Sequence, residues 1–356
     1  MDGSVRVARP APVRALASQP APRIRAGAAP LGCCLLLLVI FSACAPPSVR
    51  LAGPVRPVGS IPPVGSIRPF EVAAAGDLQL GEAPAEPLPA GLLEGEVRLV
   101  NLEGPLTARG EEAGLDAEGR SRPGEIVRFR AAPERAAVLR GRIDVVSLAN
   151  NHALDQGEAG RDDTVRALAA VGIVTALPGR PATLVRAGRR VLVLARDFAP
   201  AADLDAETAL VEETRRAAAG GVVLVSLHWG HTGSLLPTAA QRRLGARLID
   251  AGATAVLGHG PHTLQGVERR GRGIIAYSLG NLAFACGCTE VADAYVVRFV
   301  VDGQGRAEAV RVRPVVAGLR RAAAPASDPE LYELIATLSA DLGSRVRREG
   351  EALVIE

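Results

Sequence analysis

The sequence predicts an α/β fold in which helices cover the faces of the sheets. Several segments, such as residues 143–148 and 222–227, are short and apolar, without the alternation of a half-exposed strand. Helical patterns such as residues 238–251 separate these segments. Asp, Glu, Asn or His lies just beyond the ends of six of the strands, and α/β proteins bind ligands at the carboxyl ends of their strands. These observations predict a ligand site at one edge of the sheets.

The individual elements follow from local patterns. In chain order, strands are predicted at residues 70–75, 97–100, 143–148, 191–194, 222–227, 255–257 and 274–277, and helices at residues 133–140, 162–171 and 238–251. Gly172 and Gly252 follow two of these helices, where a glycine commonly ends the helix. Beyond residue 281, residues 293–301 and 308–316 predict antiparallel strands. Leucine and isoleucine at helical spacing predict a helix over residues 327–347, with Ser327 as its N-cap.

Length and composition describe a globular protein. The 356 residues suffice for one large domain or two modest ones, and 48% apolar with 22% charged residues excludes a disordered or collagen-like chain. Aromatic residues make up only 3%, which disfavours a stacking platform for single-stranded nucleic acid. The formal charge of +3 comes from residues 1–31, which hold five Arg and one Asp. The rest has 36 Arg and 37 acidic residues, a net charge of −1, so no nucleic-acid partner is predicted.

The N-terminus predicts export. Residues 31–41 form an apolar run of eleven, shorter than the roughly 20 residues that span a bilayer, and fit the core of a secretory signal. The following Phe41-Ser-Ala-Cys44 resembles a bacterial lipobox, which implies cleavage before Cys44 and lipidation of its thiol. The alternative is an ordinary signal peptide with an incidental cysteine. The predicted organisation is a signal peptide (1–43), a lipidated Pro/Gly-rich tether (44–69), a folded domain (70–320) and a C-terminal helical extension (321–356). This places the protein in the cell envelope, lipid-anchored to a membrane.

Two cysteines remain in the predicted folded domain, within Cys286-Gly-Cys288. In an exported protein they form a strained bridge across one residue or remain two free thiols. Binding of a soft metal is a weaker third alternative.

The rare polar side chains are concentrated in the strand-end motifs. All five histidines and all four asparagines of the chain lie there: His152, His228, His231, His259, His262, Asn101, Asn150, Asn151 and Asn281. Imidazole nitrogens with carboxylate and amide oxygens suit a divalent ion such as Mn, Zn, Fe or Mg. A shared carboxylate could bridge two ions about 3.5–4 Å apart, as in two-metal hydrolases.

Taken together, the motifs identify a family. They are Gly76-Asp77-Leu-Gln-Leu-Gly81, Asn101-Leu-Glu103-Gly-Pro-Leu-Thr107, Phe129-Arg-Ala-Ala-Pro133, Asp144 to Gly157 with Asn150-Asn-His152 inside it, Ser226-Leu-His228-Trp-Gly230, Gly258-His259-Gly-Pro-His262-Thr-Leu-Gln265 and Tyr277-Ser-Leu-Gly-Asn281. In order and spacing, over roughly residues 70–285, the chain resembles the CapA family of capsule and poly-γ-glutamate synthesis proteins. The resemblance implies a calcineurin-like metallophosphoesterase fold, a four-layer sandwich of two sheets flanked by helices.

The resemblance also implies residue roles. One or two divalent ions would be held by Asp77, Glu103, Asn151, His228, His259 and His262. His152 would be the acid that protonates a leaving group, and Asp155 either orients His152 or caps the following helix. The remaining polar residues of the motifs are predicted to bind substrate: Asn101, Asn150, His231 and Asn281.

Three positions depart from the family pattern. Gln79 stands where phosphoesterases have a histidine two residues after the first Asp, and Gly260 replaces a second consecutive histidine. Thr232 and Gly233 lie where a glutamate usually follows His-Trp-Gly. These changes leave open a one-ion site, or a site that binds without turnover.

The sequence is compatible with three functions. The first is a metal-dependent hydrolase or transferase of the cell envelope that acts on a phosphoester or an anionic polymer such as poly-γ-glutamate. The second is a non-catalytic component that binds polymer or proteins of the capsule machinery during assembly or export. The third is a surface-tethered domain with a vestigial site.

Overall fold

Two mixed β-sheets pack face to face in the computed structural model. Helices lie against the outer face of each sheet, whereas the C-terminal helix contributes to the cluster between the sheets. The structure describes residues 68–81, 86–199, 203–289 and 291–356, all within one compact unit of residues 59–356. The predicted signal peptide, the lipidated Cys44 and nearly all of the predicted tether lie outside the described residues.

The strands and helices of the described residues have the following bounds. The strands are β1 (Phe70–Gln79), β2 (Val97–Leu102), β3 (Val145–Ser147), β4 (Val174–Ala176), β5 (Ala182–Arg186), β6 (Arg189–Asp197), β7 (Val222–His228), β8 (Ala255–His259), β9 (Val267–Arg270), β10 (Gly273–Ala276), β11 (Asn281–Phe284), β12 (Asp293–Val301), β13 (Ala307–Val316), β14 (Gly318–Leu319), β15 (Ala324–Pro325), β16 (Val346–Glu349) and β17 (Ala352–Ile355). The helices are α1 (Gly157–Ala170), α2 (Leu204–Ala218), α3 (Ala239–Asp250) and α4 (Pro329–Ala340), with a 3₁₀ helix at Pro133–Leu139.

Each sheet combines parallel and antiparallel strands. The larger sheet runs β16-β17-β13-β12-β1-β2-β3-β4, with β11 beside β1, β14 beside β11, and β15 beside β13. The smaller sheet runs β5-β6-β7-β8-β10-β9. Within them, β1 to β4 are parallel neighbours, and so are β6, β7 and β8. The carboxyl ends of these parallel strands carry the polar motifs.

Three hydrophobic clusters define four layers. Alternate residues of β1 point to opposite faces, so Val72 and Ala74 join the cluster between the sheets, whereas Ala73 and Ala75 join the cluster with α1. On the smaller sheet, Leu224 faces the larger sheet, and its neighbour Val225 packs in the cluster that α2 and α3 complete. Strands buried on both faces explain the continuous apolar runs. The observed α/β fold confirms the predicted class and is consistent with a calcineurin-like sandwich.

The helices begin and end largely where local chemistry indicates. Thr238 forms a capping box with Gln241 at the start of α3, and Gly252 follows its end with a φ of 109°. The segment at Pro133 is a 3₁₀ helix of seven residues. Asp203 caps α2, a helix that was not predicted from the sequence.

The C-terminal helix is shorter than predicted. Asp328, not Ser327, accepts the capping hydrogen bond of α4, and the helix ends at Ala340. Gly343 then takes a φ of 90°, and residues 346–355 form the β16–β17 hairpin, which pairs with β13. The predicted helix over residues 341–347 is therefore wrong. The apolar spacing that suggested it continues to Leu342, which lies outside the helix and packs against the cluster that α2 and α3 complete.

Candidate metal centre

The carboxyl ends of both sheets meet at one point. In the larger sheet, Asp77 of β1 lies beside Asn101 of β2, and in the smaller sheet His228 of β7 lies beside His259 of β8. The backbone N–H of Gly260, the residue after β8, donates to Oδ2 of Asp77 at 3.1 Å. This bond joins the ends of the two sheets.

Two carboxylates and three imidazoles form the centre. Nδ1 of His259 lies 3.2 Å from Oδ1 of Asp77, and Nδ1 of His262 lies 3.4 Å from Oδ2 of Asp77. On the other side, Nε2 of His228 is 3.2 Å from Oε1 of Glu103, and Nε2 of His262 is 3.8 Å from Oε2 of Glu103. Asp77, Glu103 and His259 are at most 1% exposed. The side chains are thus concentrated in a space that water barely reaches.

Unsatisfied polar atoms in this centre suit a cation. Oε2 of Glu103, Nε2 of His228 and both ring nitrogens of His259 are buried without a hydrogen-bond partner among the described residues. Ligand atoms of Asp77, Glu103 and His262 all lie within 4.8 Å of one another. Each buried polar group without a partner costs about 1–3 kcal/mol. Lone pairs of carboxylates and imidazoles that converge in this way fit a divalent metal ion.

The charges of the centre shift the pKa values of its groups. Burial opposes the charge on Asp77, but the adjacent imidazoles of His259 and His262 outweigh it and hold the pKa of Asp77 well below its usual range. Burial likewise opposes a charge on His228, yet the carboxylates of Asp197 and Glu103 raise the pKa of its imidazole to about 10. For His262, Glu103 and Asp77 overcome burial and raise the pKa to about 9. Without a metal, protons on the histidines therefore balance the carboxylates.

Asn101 and Asn150 form a buried network beneath the centre. Nδ2 of Asn101 donates to Oδ1 of Asp77 at 3.0 Å and to Oε1 of Glu103 at 3.3 Å. Nδ2 of Asn150 donates to Oδ1 of Asn101 at 2.9 Å and to the carbonyl of Leu102 at 2.8 Å. Both amides are committed to internal bonds, which favours a role in holding the carboxylates over the predicted contact with substrate.

Asn281 contacts the imidazole of His262 through Nδ1. Its Oδ1 lies 3.0 Å from Nδ1 of His262, and its Nδ2 donates to Thr289 and to the carbonyl of Val291. Asn281 is fully buried, so the structure places it behind a histidine and away from the cleft surface. His262 itself has a φ of 58°, an unfavourable backbone conformation for a residue with a side chain.

His152 lines a cleft beside the centre. The cleft has a volume of about 240 Å³, and its lining includes Glu103, Asn151, His152 and His262, with Phe129 and Phe284 as apolar walls. Nδ1 of His152 lies 2.8 Å from Oδ2 of Asp155. Helix α1 has Gln156 at its N-cap position, without a side-chain capping bond. Of the two roles considered for Asp155, the geometry supports orientation of His152.

The other two predicted site residues are exposed. Asn151 lines the cleft, which keeps it available for a ligand role. His231 lies on the loop after β7, outside the cleft lining, and its backbone carbonyl accepts the N–H of Ser234. Within the described residues, no hydrogen bond joins the side chain of His231 to the centre.

Comparison with known proteins agrees with this arrangement. The family described as "Bacterial capsule synthesis protein PGA_cap" matches residues 81–285, more than half of the chain. The chain belongs to this capsule synthesis family.

Curated relatives of this capsule synthesis protein carry related names. Capsule biosynthesis protein CapA of Bacillus anthracis is 30% identical over 205 residues, which cover 48% of this chain and 47% of that protein. PGA biosynthesis protein CapA of Bacillus subtilis is 28% identical over 235 residues, 58% of this chain and 59% of the relative. A probable polyglutamine synthesis accessory protein of Mycobacterium tuberculosis is 32% identical over 234 residues, 56% of each chain. The chain thus spans about half to three-fifths of the length of these relatives.

Gln79 has a structural role in this member of the capsule synthesis family. Its Oε1 accepts the backbone N–H groups of Ala285 and Cys286 at 2.9 and 3.0 Å, and its Nε2 donates to the carbonyl of Leu80. The side chain is 2% exposed. It therefore ties β1 to the segment after β11, and all its polar atoms are used away from the centre.

Gly260 leaves room for His228. A Cβ atom at this position would lie 3.0 Å from Nε2 of His228 and 3.1 Å from the carbonyl oxygen of Trp229. The φ of Gly260 is 102°, which a residue with a side chain rarely adopts. A histidine here would therefore strain the backbone of this capsule synthesis protein and press against His228.

One charged neighbour of the centre, Asp197, was not predicted from the sequence. It is the last residue of β6, and its Oδ1 lies 3.0 Å from Nδ1 of His228. The strand-end rule would have identified it, had the predicted strand at residues 191–194 continued to its true end.

Cys286 and Cys288 form a disulfide, the bridge that the sequence left open against two free thiols. Cys288 lines the cleft near His262, and Cys286 packs with Phe129 and Phe284. The bridge thus forms part of the cleft wall.

Proposed function

We propose that this chain is a metal-dependent hydrolase of capsule-polymer metabolism in the cell envelope. It would cleave a phosphoester or an anionic polymer such as poly-γ-glutamate. The observation that carries the proposal is the group of buried, unpaired ligand atoms of Glu103, His228 and His259. These atoms lie beside a cleft that His152 lines.

Six side chains would hold the ion. Asp77, Glu103, His228, His259 and His262 offer carboxylate oxygens and imidazole nitrogens around one point, and Asn151 offers an amide oxygen from the cleft wall. A bound divalent ion supplies a Lewis acid and lowers the pKa of water enough for attack at neutral pH. The donor set suits Zn, Mn or Fe, with Mg less favoured because of the imidazoles.

A side chain of the protein would protonate the leaving group. In hydrolysis, a water oxygen bonds to the phosphorus or carbonyl carbon, and the bond to the leaving oxygen or nitrogen breaks. His152 would donate a proton to that leaving atom as the bond breaks. Asp155 engages Nδ1, so Nε2 is the nitrogen that would deliver the proton. Phe129 packs against the imidazole ring of His152 with 4.4 Å between centroids and restricts its movement.

Family membership supports the substrate class. The relatives are named for biosynthesis of capsule, of PGA and of polyglutamine. A hydrolase within such a system would trim, release or transfer polymer chains, and proteins of the capsule machinery would be its partners.

A second candidate function is binding without turnover during capsule assembly or export. Two observations favour it: Gln79 is tied to backbone groups, and Gly260 offers no side chain to the centre. Both positions carry histidine in the pattern that the chain resembles, so the ligand set is smaller here. The same cleft would then bind polymer or a partner protein.

Metal content and hydrolysis distinguish the two functions. The purified protein is stripped with a chelator, reloaded separately with Zn²⁺, Mn²⁺, Fe²⁺ or Mg²⁺, and assayed on a phosphodiester and on poly-γ-glutamate. The proposal predicts bound metal and cleavage of at least one substrate. His259→Ala, which removes a ligand, should lose metal and cleavage together. Metal-loaded protein that binds polymer but cleaves neither substrate would favour the second function.

The proposal includes export and a lipid anchor at Cys44, followed by a tether to residue 69, the folded domain (70–320) and the C-terminal region (321–356). Membership of a capsule synthesis family supports an envelope location. Among the helices that the structure describes, none is long and apolar enough to cross a bilayer. Labelled palmitate should enter the wild type but not Cys44→Ala. Labelling that survives the substitution would contradict the lipid anchor.

A further inference from the structure

Asp197 and His228 end two neighbouring strands of the smaller sheet. Strands β6 and β7 are parallel, and their register continues to the pair of Asp197 and His228. In this register Oδ1 of Asp197 lies 3.0 Å from Nδ1 of His228. The contact is thus built on backbone pairing, which fixes the positions of both side chains.

Further hydrogen bonds hold the carboxylate in place. Oδ1 of Asp197 also accepts the backbone N–H of Ala199 at 3.0 Å. The N–H of Phe198 donates to the carbonyl of His228 at 2.8 Å, which locks the chain just after β6 to the end of β7. Asp197 therefore meets the ring from a rigid position and not from a mobile loop.

The other side of the ring faces the centre. Nε2 of His228 lies 3.2 Å from Oε1 of Glu103 and is buried without a hydrogen-bond partner in the described part of the chain. A neutral imidazole carries its proton on one nitrogen and a lone pair on the other. A carboxylate beside Nδ1 keeps the proton there, so the lone pair is on Nε2 and points toward Glu103.

We infer that Asp197 is a positioning residue that orients His228 and directs its Nε2 lone pair to the ion. The inference deepens the proposed function and rests on its metal centre. Partners of this kind fix the orientation of a ligating histidine and increase its basicity, and their loss typically costs 10–100-fold in metal affinity. Asn281 contacts Nδ1 of His262 in the same way, but with a neutral amide.

The test compares zinc affinity in the full-length protein, measured by competition with a chelator at one pH. Asp197→Ala should weaken zinc binding about 10–100-fold. Asp197→Asn, which keeps an acceptor oxygen for Ala199 but loses the charge, should show a smaller loss. Glu213→Gln is the matched control, because Glu213 pairs with Arg196 next to Asp197 and does not contact His228. It should bind zinc like the wild type.

A spectroscopic readout separates positioning from a general loss of structure. With ¹⁵N-labelled histidine, zinc-loaded wild type should show His228 bound through Nε2, with a protonated Nδ1 in a strong hydrogen bond. In Asp197→Asn the Nδ1 proton should shift upfield, and the signals of His259 should change little. If Asp197→Ala does not fold, the Asp197→Asn variant still tests whether Asp197 positions the ring of His228.

Two results would overturn the inference: wild-type zinc affinity in Asp197→Ala, or zinc bound through Nδ1 of His228 in the wild type. A protein that binds zinc, loses affinity in Asp197→Ala and yet hydrolyses nothing would refute the hydrolase and support the inference. The experiment therefore distinguishes failure of the proposed hydrolase function from failure of the positioning role of Asp197.

Discussion

Nδ1 of His152 lies 2.8 Å from Oδ2 of Asp155, and the same oxygen accepts the backbone N–H of Phe129 at 2.6 Å. One carboxylate oxygen thus fixes both the imidazole and the loop segment at Phe129 that contributes to the apolar cleft wall. This arrangement separates His152, which faces the cleft, from the histidines that surround Asp77 and Glu103.

We predict that His152→Ala binds metal like the wild type but loses activity. General acid catalysis contributes about 10²–10⁴-fold, so turnover should fall by that factor while metal stoichiometry stays unchanged. The measurement is steady-state kinetics beside metal analysis of the same preparation. His259→Ala is the contrasting variant, because it should lose metal as well. Unchanged turnover in His152→Ala, on a substrate that the wild type hydrolyses, would refute the assignment.

We predict that Gly260→Ala weakens metal binding because the new Cβ would approach Nε2 of His228 to 3.0 Å. Displacement of this ligand should reduce metal affinity by at least about tenfold. Gly233→Ala is the matched control: its φ is 78°, but a Cβ there has no described atom within 4 Å. Both variants carry backbone strain of about 1–2 kcal/mol. Equal metal affinity in the two variants would contradict the steric explanation.

We predict that Gln79→Ala destabilises the fold, since the buried backbone N–H of Cys286 loses its acceptor, whereas that of Ala285 keeps the backbone carbonyl of residue 79. A buried donor without a partner costs about 1–3 kcal/mol, so the free energy of unfolding should fall by at least that much in urea denaturation. Gln304→Ala serves as the control, because Gln304 is exposed, and should change stability by less than about 0.5 kcal/mol. Wild-type stability in Gln79→Ala would show that this anchor is unimportant.

Metal affinity should increase with pH. In the metal-free centre the pKa of His228 is raised to about 10 and that of His262 to about 9, so each ring must lose a proton to ligate. Two released protons correspond to an increase in affinity of up to about 100-fold per pH unit below pH 9. Titration calorimetry in buffers of different ionisation enthalpy measures the proton release. A constant affinity between pH 6.5 and 8.5 would contradict the protonated centre.

The stability of the metal-free protein should change in the opposite direction. A raised histidine pKa stabilises the fold fully below the unfolded value of 6.5, and this contribution is lost as the pH rises through about 9–10. Asp77, whose pKa is lowered, contributes above its usual value of 3.8, and its contribution is lost on acidification. The melting temperature of metal-free protein should therefore decline from neutral pH toward pH 10. A steady rise over that range would contradict the expected sign.

Much of the fold was predictable from the sequence because its central strands are buried on both faces. Residues 222–227 are apolar except for Ser226, residues 255–257 are all apolar, and β7 and β8 form there. The apolar pattern did not predict strands that form through hydrogen-bonded pairing with a neighbour more than through burial. The end of β6, Ala195-Arg196-Asp197, is hydrogen-bonded to β7 although two of its residues are polar. The hairpin of β16 and β17 is stabilised by β13, more than 30 residues earlier, which a local pattern does not reveal.

The residues of the site were predictable from the sequence, but the hydrogen bonds between them were not. Asp77, Glu103, His228, His259 and His262 were predicted as ligands, and the structure places them together. That Asn101 bonds Asp77 and Glu103 depends on the register of β1 and β2, and that Asn281 faces His262 depends on the path of the chain after β8. Such contacts follow from tertiary structure. Asn101, Asn150 and Asn281 could therefore be located at the site from the sequence, whereas their hydrogen-bond partners could not.

The most direct test of the metal centre is anomalous diffraction at the zinc edge from crystals of the zinc-loaded protein. The arrangement of ligands predicts a peak between Asp77 and Glu103, about 2.0–2.2 Å from carboxylate oxygens and from nitrogens of the surrounding histidines. A peak only at the protein surface, or a zinc-loaded crystal without a peak in this centre, would contradict the central claim.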